Sequence, residues 1–547
     1  MVVNGVLNET RNNSITRARP ENGNSDAPAD FEKAISATGF GTYNIVLLLA
    51  AIPIGWASAF DMTTAAFILA SAECDLELTF VRKGALVAFV YIGMIVSSFF
   101  WGFIVDNASR RPLFILGLLA DACCNILSSV VDSYHVFLLI KFITGTIISG
   151  PFALIVPYLA EFQPTNRRAQ FVSWTGFIFS IGNVIPAILA FTILPLPLQF
   201  TVFDRVFDAW RIYILICSIP SVLGLITMCF IPESPKRLMA IGKSTMALNL
   251  MKRMYSINTR NSADTFPIRV LIEESKSSGQ KSKTNVDKIR DSWDSLKILI
   301  RPPYLGQFVI INFLHFGGLL GFNTMRLWVP HMFIIINNFD YTLWESSRGN
   351  PTMCELLIPG VVPPGLDDPN VYANITGNCI RWTIKPAIYI NSTIIAASAV
   401  SFSFFIVMYL DTRIKKKVIL LSSFALGTLS AFGTNWTQLV PIMLTLCAAI
   451  AVTSRITGNI VIGVNANVIP LPLRPTATSV VTTMGSLGSV VGNLVFSTLL
   501  ETCCLAAFMW LGASLMLCII VSFFALRPPP KPADPEPMEE PKMVTRL

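Results

Sequence analysis

A short charged signal occurs twice in this chain, each time between two apolar runs. The first copy starts at Asp106 and ends in two arginines, and the second starts at Asp411 and ends in three lysines. The two aspartates are 305 residues apart, and a second pair of loop positions, Pro164 and Pro470, is 306 residues apart. Because two independent loop pairs share one register, the sequence predicts a chain of two similar halves.

The composition places both halves in a lipid bilayer. Of 547 residues, 53% are hydrophobic and 14% are charged, and the mean hydropathy is +0.60. A membrane helix needs roughly 20 apolar residues, and a duplicated membrane chain is typical of secondary transporters. We expect an all-α membrane protein with twelve transmembrane helices in two six-helix bundles. The predicted spans lie near 43–70, 84–105, 113–131, 135–160, 171–194, 211–231, 306–336, 386–410, 418–433, 436–462, 476–500 and 502–526.

The distribution of lysine and arginine predicts the orientation, because positively charged short loops stay in the cytoplasm. The even-numbered connections are basic, so both termini are predicted to be cytoplasmic, and the net charge of +8 mostly reflects this orientation. Nucleic-acid binding is excluded, since no basic, aromatic-rich soluble domain is present. The predicted segments are an N-terminal tail (1–42), a first bundle (43–231), a central loop (232–305), a second bundle (306–526) with an outward loop (337–385), and a C-terminal tail (527–547).

Two long loops carry further signals. The outward loop contains Cys354, Cys379 and the sequon at Asn374. Disulfides persist and N-glycans are added on the outward side, so we expect a Cys354–Cys379 bridge and a glycan on Asn374. In the central loop, Pro235–Tyr255 has helical periodicity, whereas Ser275–Thr284 has the composition of a disordered segment.

Several motifs resemble the major facilitator superfamily over nearly the whole chain. The repeated charged loop follows the second and eighth predicted spans, and Pro232-Glu-Ser-Pro-Lys-Arg-Leu238 follows the sixth. This combination is similar to the branch of sugar porters, organic ion transporters and the synaptic vesicle glycoprotein 2 group. The motifs that resemble the last group most are Lys83-Gly84, Tyr91 to Met94, Trp210-Arg211 and Trp328 to Pro330. The resemblance implies a transporter fold of two six-helix bundles.

Three departures limit what this resemblance implies. The group usually has two acids one turn apart in its first helix, whereas this chain has Ser58 and Asp61, so one acid is lost. The family arginine early in the fourth helix is Lys141, and the closing motif of the sugar porters is absent after Arg527, which weakens a sugar as the substrate. The outward loop is also much shorter than the lumenal domain of vertebrate members, so receptor roles are not transferred.

Asp61 and Asp121 are acids inside predicted spans. A charge at the bilayer centre costs about 2.5–3.5 kcal/mol on insertion scales, so such a residue faces a wet cavity or a partner. Ser58, Thr63 and Thr64 accompany Asp61 at helical spacing, which is typical of a cavity-lining face. We interpret Asp61 as a site for a proton or an organic cation, with a structural role in the bundle core as the alternative. For Asp121 a capped or paired structural role is favoured over a substrate role.

Basic side chains inside predicted spans are the remaining candidates for a substrate or proton site: Lys141, His315, Arg326 and Arg455. Arg326 lies toward the outward end of its span, so snorkelling to the interface is the alternative to ligand contact. Arg455 is more central, and two interpretations stay open: contact with an anionic group, or pairing with an acid. His331 falls near the end of a span and is predicted to be solvated.

The charged cytoplasmic motifs are predicted to control the conformational cycle. Charged pairs and helix-terminus contacts in these loops would break when the two bundles rock. The alternative is that the motifs only fix the topology. The residues with this predicted gating role are Gly102, Asp106, Arg110, Arg111, Glu161, Arg168, Asp411 and Arg413.

Enzyme chemistry has no support in the sequence. No Ser/His/Asp set, glycine-rich phosphate loop or Cys/His metal spacing stands outside the spans, and no cofactor or metal site is predicted. The sequence therefore predicts a secondary transporter of a small organic solute, in particular an organic ion, with a coupling proton at Asp61. The alternative is a non-transporting vesicle-associated regulator or scaffold. Either would be a multi-pass protein of the plasma membrane or of intracellular vesicles.

The C-terminus carries one further hypothesis. PDZ domains bind an extended C-terminus with Ser or Thr two places before a terminal apolar residue. Thr545 and Leu547 match this pattern. A PDZ partner is therefore one interpretation of the tail, and a solvated tail without a partner is the other.

Overall fold

The structure, a computed structural model, is built almost wholly of α-helices. It describes residues 29–107, 109–202, 205–272, 285–338, 351–357, 386–409, 413–470 and 473–523. A two-stranded antiparallel hairpin, β1 (Gln199–Val202) and β2 (Arg205–Asp208), precedes α8 and was not predicted. The helices are α1 (Phe31–Ala37), α2 (Thr42–Ile68), α3 (Phe80–Asn107), α4 (Arg110–Val130), α5 (Tyr134–Ala160), α6 (Thr165–Ile181), α7 (Ile185–Ile193), α8 (Ala209–Cys217), α9 (Ile219–Phe230), α10 (Pro235–Ala240), α11 (Ser244–Thr259), α12 (Asn285–Leu299), α13 (Leu305–Asn338), α14 (Met353–Leu357), α15 (Pro386–Tyr409), α16 (Arg413–Gly433), α17 (Val440–Val468), α18 (Arg474–Thr502) and α19 (Cys504–Ser522).

Within the described residues, eleven segments are long and apolar enough to cross a membrane, whereas the sequence predicted twelve. The predicted span near 418–433 forms α16, which is present but is not among the eleven. Arg413 and Lys415–Lys417 occupy the start of this helix and shorten its apolar part. The helical membrane fold is confirmed, and the count of twelve spans is not.

Two of the eleven segments consist of two helices each. The segment Thr165–Ile193 contains α6 and α7, and the segment Ala209–Phe230 contains α8 and α9. Pro186 and Pro220 stand in the first turn of α7 and of α9. Proline lacks a backbone N–H and therefore fits the start of a helix better than its interior. These two positions explain why each apolar run is divided.

The chain divides into two compact units. The described residues of the first are 29–46, 160–171 and 234–272. In it, Asn258 of α11 donates to the side chain of Asn44 at 2.9 Å, and Asn44 donates to Gln163 Oε1 at 2.9 Å. These amide contacts hold three chain segments together. The predicted helical periodicity of Pro235–Tyr255 is confirmed by α10 and α11.

The second unit contains most of the apolar helices, with α13 at its centre. This helix packs against α15, α17, α18 and α19. It approaches α18 closely at Gly488, where a Cβ would lie 2.3 Å from the Phe316 carbonyl oxygen. The α3 helix of the first sequence half packs on α18 of the second half in the same way, because a Cβ on Gly84 would lie 2.6 Å from the Asn493 carbonyl oxygen. Glycine at these two contacts permits backbone approaches that any side chain would block.

Some predictions fall outside the described residues. They concern the predicted disordered segment Ser275–Thr284, the sequon at Asn374, Cys379, the loop residue Asp411 and the C-terminal pair Thr545 and Leu547.

Candidate functional site: a cavity between the two sequence halves

A cavity lies within the second unit, between helices of both sequence halves. Thr63 and Asn183 contribute from the first half, and α13, α15 and α17 contribute from the second. The walls are mostly apolar, with Arg326 and Arg455 as the charged lining residues. Ligand sites are typically concave and largely apolar, with a few convergent polar groups. The cavity therefore has the lining chemistry of a small-molecule site.

Arg326 connects the cavity to the first sequence half. Its Nη2 donates to the Tyr91 hydroxyl at 2.6 Å and to the Met62 carbonyl oxygen at 2.9 Å. The Tyr91 hydroxyl donates to Asn323 Oδ1 at 2.9 Å, and Asn323 Nδ2 donates to the Ser489 hydroxyl at 2.7 Å. All of these acceptors are neutral, so the network orients the guanidinium without cancelling its charge.

Arg455 lies on the same cavity wall but is held differently. Its guanidinium carbon lies 4.9 Å from the centre of the Phe322 ring, and that of Arg326 lies 5.5 Å from the same centre. Arginine over an aromatic ring is attracted by the electrons of the ring. Within the described residues, Arg455 has no hydrogen-bond or ion-pair partner. Of the two interpretations left open by the sequence, pairing with an acid finds no support here.

Asp61 belongs to a separate buried group, which we call the acid cluster and define as Asp61, Asp121, Asn125, Lys141 and Ser221. Asn125 Nδ2 donates to Asp61 Oδ1 at 2.7 Å and to Asp121 Oδ1 at 3.3 Å. The Ser221 hydroxyl donates to Asp121 Oδ2 at 2.5 Å, and Lys141 Nζ donates to Asn125 Oδ1 at 3.4 Å. The cluster joins α2, α4, α5 and α9 inside the first sequence half.

The carboxyl of Asp61 does not line the cavity, although Thr63, two residues further along α2, does. Asp61 is 4% exposed, and its Oδ2 has no hydrogen-bond partner within the described residues. The next residue, Met62, accepts the hydrogen bond from Arg326, and Thr63 lines the cavity. The acid cluster and the cavity are thus linked through one turn of α2 rather than by direct contact.

The other predicted polar residues lie in packed surroundings. Ser58 is 2% exposed in α2 and is not part of the cavity wall. His315 is 1% exposed and faces α18, where a Cβ on Gly485 would lie 2.6 Å from its Cδ2. Neither residue has a hydrogen bond to Arg326 or Arg455, although His315 lies close enough to Arg455 to interact with its charge.

A buried group that the sequence did not predict closes one end of the second unit. Lys83 Nζ lies 2.8 Å from Glu73 Oε1 and 3.2 Å from His331 Nε2, and the lysine is 1% exposed. The prediction that His331 is solvated is wrong, because this imidazole is 2% exposed between α3 and α13. Its position near the end of a predicted span suggested contact with water. Only the packing of α13 against α3 shows that the end is covered.

The predicted disulfide is also wrong. Cys354 of α14 bonds to Cys504 at the start of α19, 150 residues further along the chain, rather than to Cys379. The prediction paired Cys354 with Cys379 because both lie in one loop. The packing of α14 beside α19 instead brings Cys354 to Cys504. We call this end of the second unit, with Glu73, Lys83, His331 and the Cys354–Cys504 bridge, the disulfide end.

The predicted gating residues fall into three groups. At the start of α4, the Arg111 backbone N–H donates to Glu233 Oε2 at 3.3 Å, and the Arg111 guanidinium donates to the Cys229 carbonyl oxygen. In the first unit, Glu161 accepts a hydrogen bond from Ser234, and Arg168 pairs with Glu32 at 2.9 Å. Helical backbone is described for the remaining residues of the set except Asp411: Gly102, Asp106, Arg110 and Arg413.

Comparison with known proteins places this architecture in a family. The family described as Sugar (and other) transporter matches residues 44–333, which is more than half of the chain. The chain belongs to this family of the major facilitator superfamily. Family membership confirms the fold class that the charged repeats and loop motifs predicted.

The relatives agree with the predicted branch of the family. Synaptic vesicle glycoprotein 2B of Rattus norvegicus is 26% identical over 331 residues, which are 57% of this chain and 48% of that protein. Synaptic vesicle glycoprotein 2C of Rattus norvegicus is 29% identical over 232 residues, which are 42% of this chain and 32% of that protein. The chain therefore spans about half or less of the length of these relatives.

Solved structures agree on the fold. The xylose transporter XylE from E. coli, in a partially occluded inward-open conformation, superposes with a TM-score of 0.60 at 15% identity, covering 89% of this chain and 100% of that chain. A mutant form of the nucleoside transporter NupG superposes with a TM-score of 0.54 at 12% identity, covering 91% of this chain and 100% of that chain. Identities this low bear on the fold alone.

Proposed function

We propose that this multi-pass membrane protein carries a small organic solute across the bilayer by alternating access. The observation that carries the proposal is the cavity, whose walls come from both sequence halves. In a transporter built from repeats, the substrate site lies at the interface of the repeats, so that rocking one against the other exposes it to alternate sides. Arg326 supports this role, because it lines the cavity and also contacts Met62 of the first half.

The disulfide end supplies contacts that such a cycle would have to break. Lys83 belongs to the first sequence half and His331 to the second, and they meet at 3.2 Å. The predicted topology puts this end on the outward side. Separation of α3 from α13 there would open a path to the cavity, while the Cys354–Cys504 bridge lies wholly within the second half and can persist throughout.

We further propose that a proton drives the cycle through Asp61. The acid cluster holds two carboxyl groups and one ammonium, so binding one proton makes it electrically neutral. Asp61 Oδ2 is the carboxyl oxygen of the cluster that has no hydrogen-bond partner within the described residues. A change of charge at Asp61 would act on the following residues of α2. Of these, Met62 accepts the hydrogen bond from Arg326 and Thr63 lines the cavity.

Uptake into proteoliposomes tests the transport function. The full chain is reconstituted, and uptake of radiolabelled xylose, tetraethylammonium and p-aminohippurate is measured with and without an inward proton gradient. We expect saturable uptake of at least one probe, stimulated by the gradient. Ala396→Trp, which fills the cavity, should abolish this uptake. Leu429→Trp is the matched control, because Leu429 is 69% exposed on the surface of α16.

Two outcomes would contradict the proposal. Uptake no faster than in empty liposomes for every probe would favour the non-transporting regulator. Equal uptake by the Ala396→Trp and control variants would show that the solute does not pass through this cavity.

A further inference from the structure

Two guanidinium groups share one wall of the cavity. Arg326 and Arg455 both lie against Phe322 and are close enough to repel each other electrostatically. Among the described lining residues there is no Asp or Glu to balance them. Two like charges in mostly apolar surroundings are unfavourable unless an opposite charge joins them. The cavity wall is therefore a preformed site for negative charge.

The two arginines differ in how many donors they have left. Arg326 uses Nη2 for Tyr91 and the Met62 carbonyl, which fixes its plane. Arg455 has all five N–H donors without a protein acceptor within the described residues. A planar guanidinium with free donors can bind a carboxylate, sulfonate or phosphate through two parallel hydrogen bonds. Arg455 is thus suited to be the main anchor, with Arg326 as a second, pre-oriented cation.

The other lining residues of the cavity indicate what the uncharged part of the ligand is. Phe67, Met325, Val329 and Ile395 are among the apolar lining residues. An inorganic anion would leave this apolar surface uncovered, whereas an apolar body attached to the anionic group would bury it. We propose that the cavity selects a small organic anion, with its anionic oxygens on Arg455 and Arg326 and an apolar body against these side chains. This inference deepens the proposed transport function by naming its substrate class.

Binding is the appropriate first test, because it does not depend on transport. The full chain in detergent micelles is titrated by calorimetry with three probes that share one apolar body. They are naphthalene-2-sulfonate, naphthalene-2-sulfonamide and a naphthyl-trimethylammonium ion. We expect saturable binding of the sulfonate and at least about tenfold weaker binding of the other two. The sulfonamide forms only neutral hydrogen bonds, which contribute less than charged ones, and the ammonium ion is repelled by both guanidinium groups.

Variants assign the binding to the two arginines. Arg455→Gln should weaken sulfonate binding by about tenfold to a hundredfold, and Arg455→Lys by less, since the lysine keeps the charge but loses the paired donors. Arg326→Gln should have a smaller effect than Arg455→Gln. Arg82→Gln is the control, because Arg82 is an arginine at the surface, 38% exposed in its side chain and paired with Glu77. Size-exclusion profiles and unfolding temperatures establish that each variant is folded.

The outcomes separate this inference from the transport proposal. Sulfonate binding that depends on Arg455 supports the anion site even when no probe enters liposomes. Equal binding of sulfonate and sulfonamide overturns it, even when a neutral solute is transported. Chloride that binds as tightly as the sulfonate would also overturn it, because the apolar walls would then contribute nothing. If Arg455→Gln does not fold, the comparison of the three probes on the native chain still decides.

Discussion

The acid cluster and the cavity arginines are two groups of charge inside the apolar helices, and the protein surrounds them differently. In the acid cluster, Asp61 and Asp121 are joined by Asn125 and lie near Lys141, so most charge is balanced by protein. In the cavity, Arg326 and Arg455 lie near each other and have no acidic partner within the described residues. The comparison indicates that one group is completed by the fold, and that the other is left to be completed by a ligand.

The same substitution at the two sites should give the largest contrast. Lys141→Met leaves two buried carboxyl groups without their cation, which should lower the free energy of unfolding by about 3–5 kcal/mol. Arg455→Met removes a cation that has no acidic partner within the described residues, so we expect no loss of stability. Thermal unfolding of both variants in one detergent measures the contrast. Equal destabilisation would show that Arg455 is also balanced by the protein.

Proton coupling provides the next test of the comparison. A gradient of one pH unit can drive at most about tenfold accumulation per proton, because one unit corresponds to about 1.4 kcal/mol. Asp61→Asn should remove this gradient dependence, since the amide exchanges no proton. Asp121→Asn should retain it, because both carboxyl oxygens of Asp121 already accept hydrogen bonds. Proteoliposome uptake with and without a gradient measures both, and the reverse pattern would move the proton site to Asp121.

The disulfide end offers a third kind of buried charge, shared between the halves. Replacing His331 by Leu removes the contact with Lys83 Nζ. Loss of a hydrogen bond of about 0.5–1.5 kcal/mol should raise the population in which this end is open by roughly twofold to tenfold. We expect faster hydrogen exchange at the start of α3, measured by mass spectrometry. His331→Gln, which keeps an acceptor, is the control. Unchanged exchange in both variants would mean that this contact does not hold the end closed.

An exposed ion pair should have the smallest effect. The hydrogen bond from Arg168 lowers the pKa of Glu32 from its ordinary value of 4.5. A lowered folded pKa contributes stability that is present above pH 4.5 and is lost as the pH falls through the lowered value. The two side chains are 30% and 45% exposed, so Glu32→Gln should cost less than about 1 kcal/mol. Unfolding at pH 7 and pH 4 measures this, and a larger loss at pH 4 than at pH 7 would contradict it.

Much of the fold was readable from the sequence. Apolar runs between basic loops predicted the membrane helices, and family membership supports them. The repeats at Asp106 and Asp411 predicted two similar halves, which stays a prediction. The sequence also located helix α16, but the cations at its start shorten its apolar run, so it is not among the eleven segments that are long and apolar enough to cross a membrane. The divisions at Pro186 and Pro220 also carry a sequence signal, which a search for uninterrupted runs misses.

The site was predicted only in part. The sequence singled out Asp61, Arg326 and Arg455 because a charged side chain inside an apolar run costs free energy, and such residues are typically functional. The same argument did not apply to Lys83 and His331, which lie near the ends of predicted spans. Near the end of an isolated membrane helix, the side chains of a lysine and a histidine can reach water. They become buried only when a neighbouring helix covers them.

By itself, the sequence determined that this protein lies in a membrane and which charged residues lie inside its apolar runs, and it predicted two related halves. These properties depend on local hydropathy and on spacing along the chain. The tertiary structure decided which charges meet: that Asp61 faces Asn125, that Arg455 faces a cavity, and that Cys354 bonds to Cys504. Such contacts join residues far apart in sequence, and their partners depend on how the helices rotate and pack against one another.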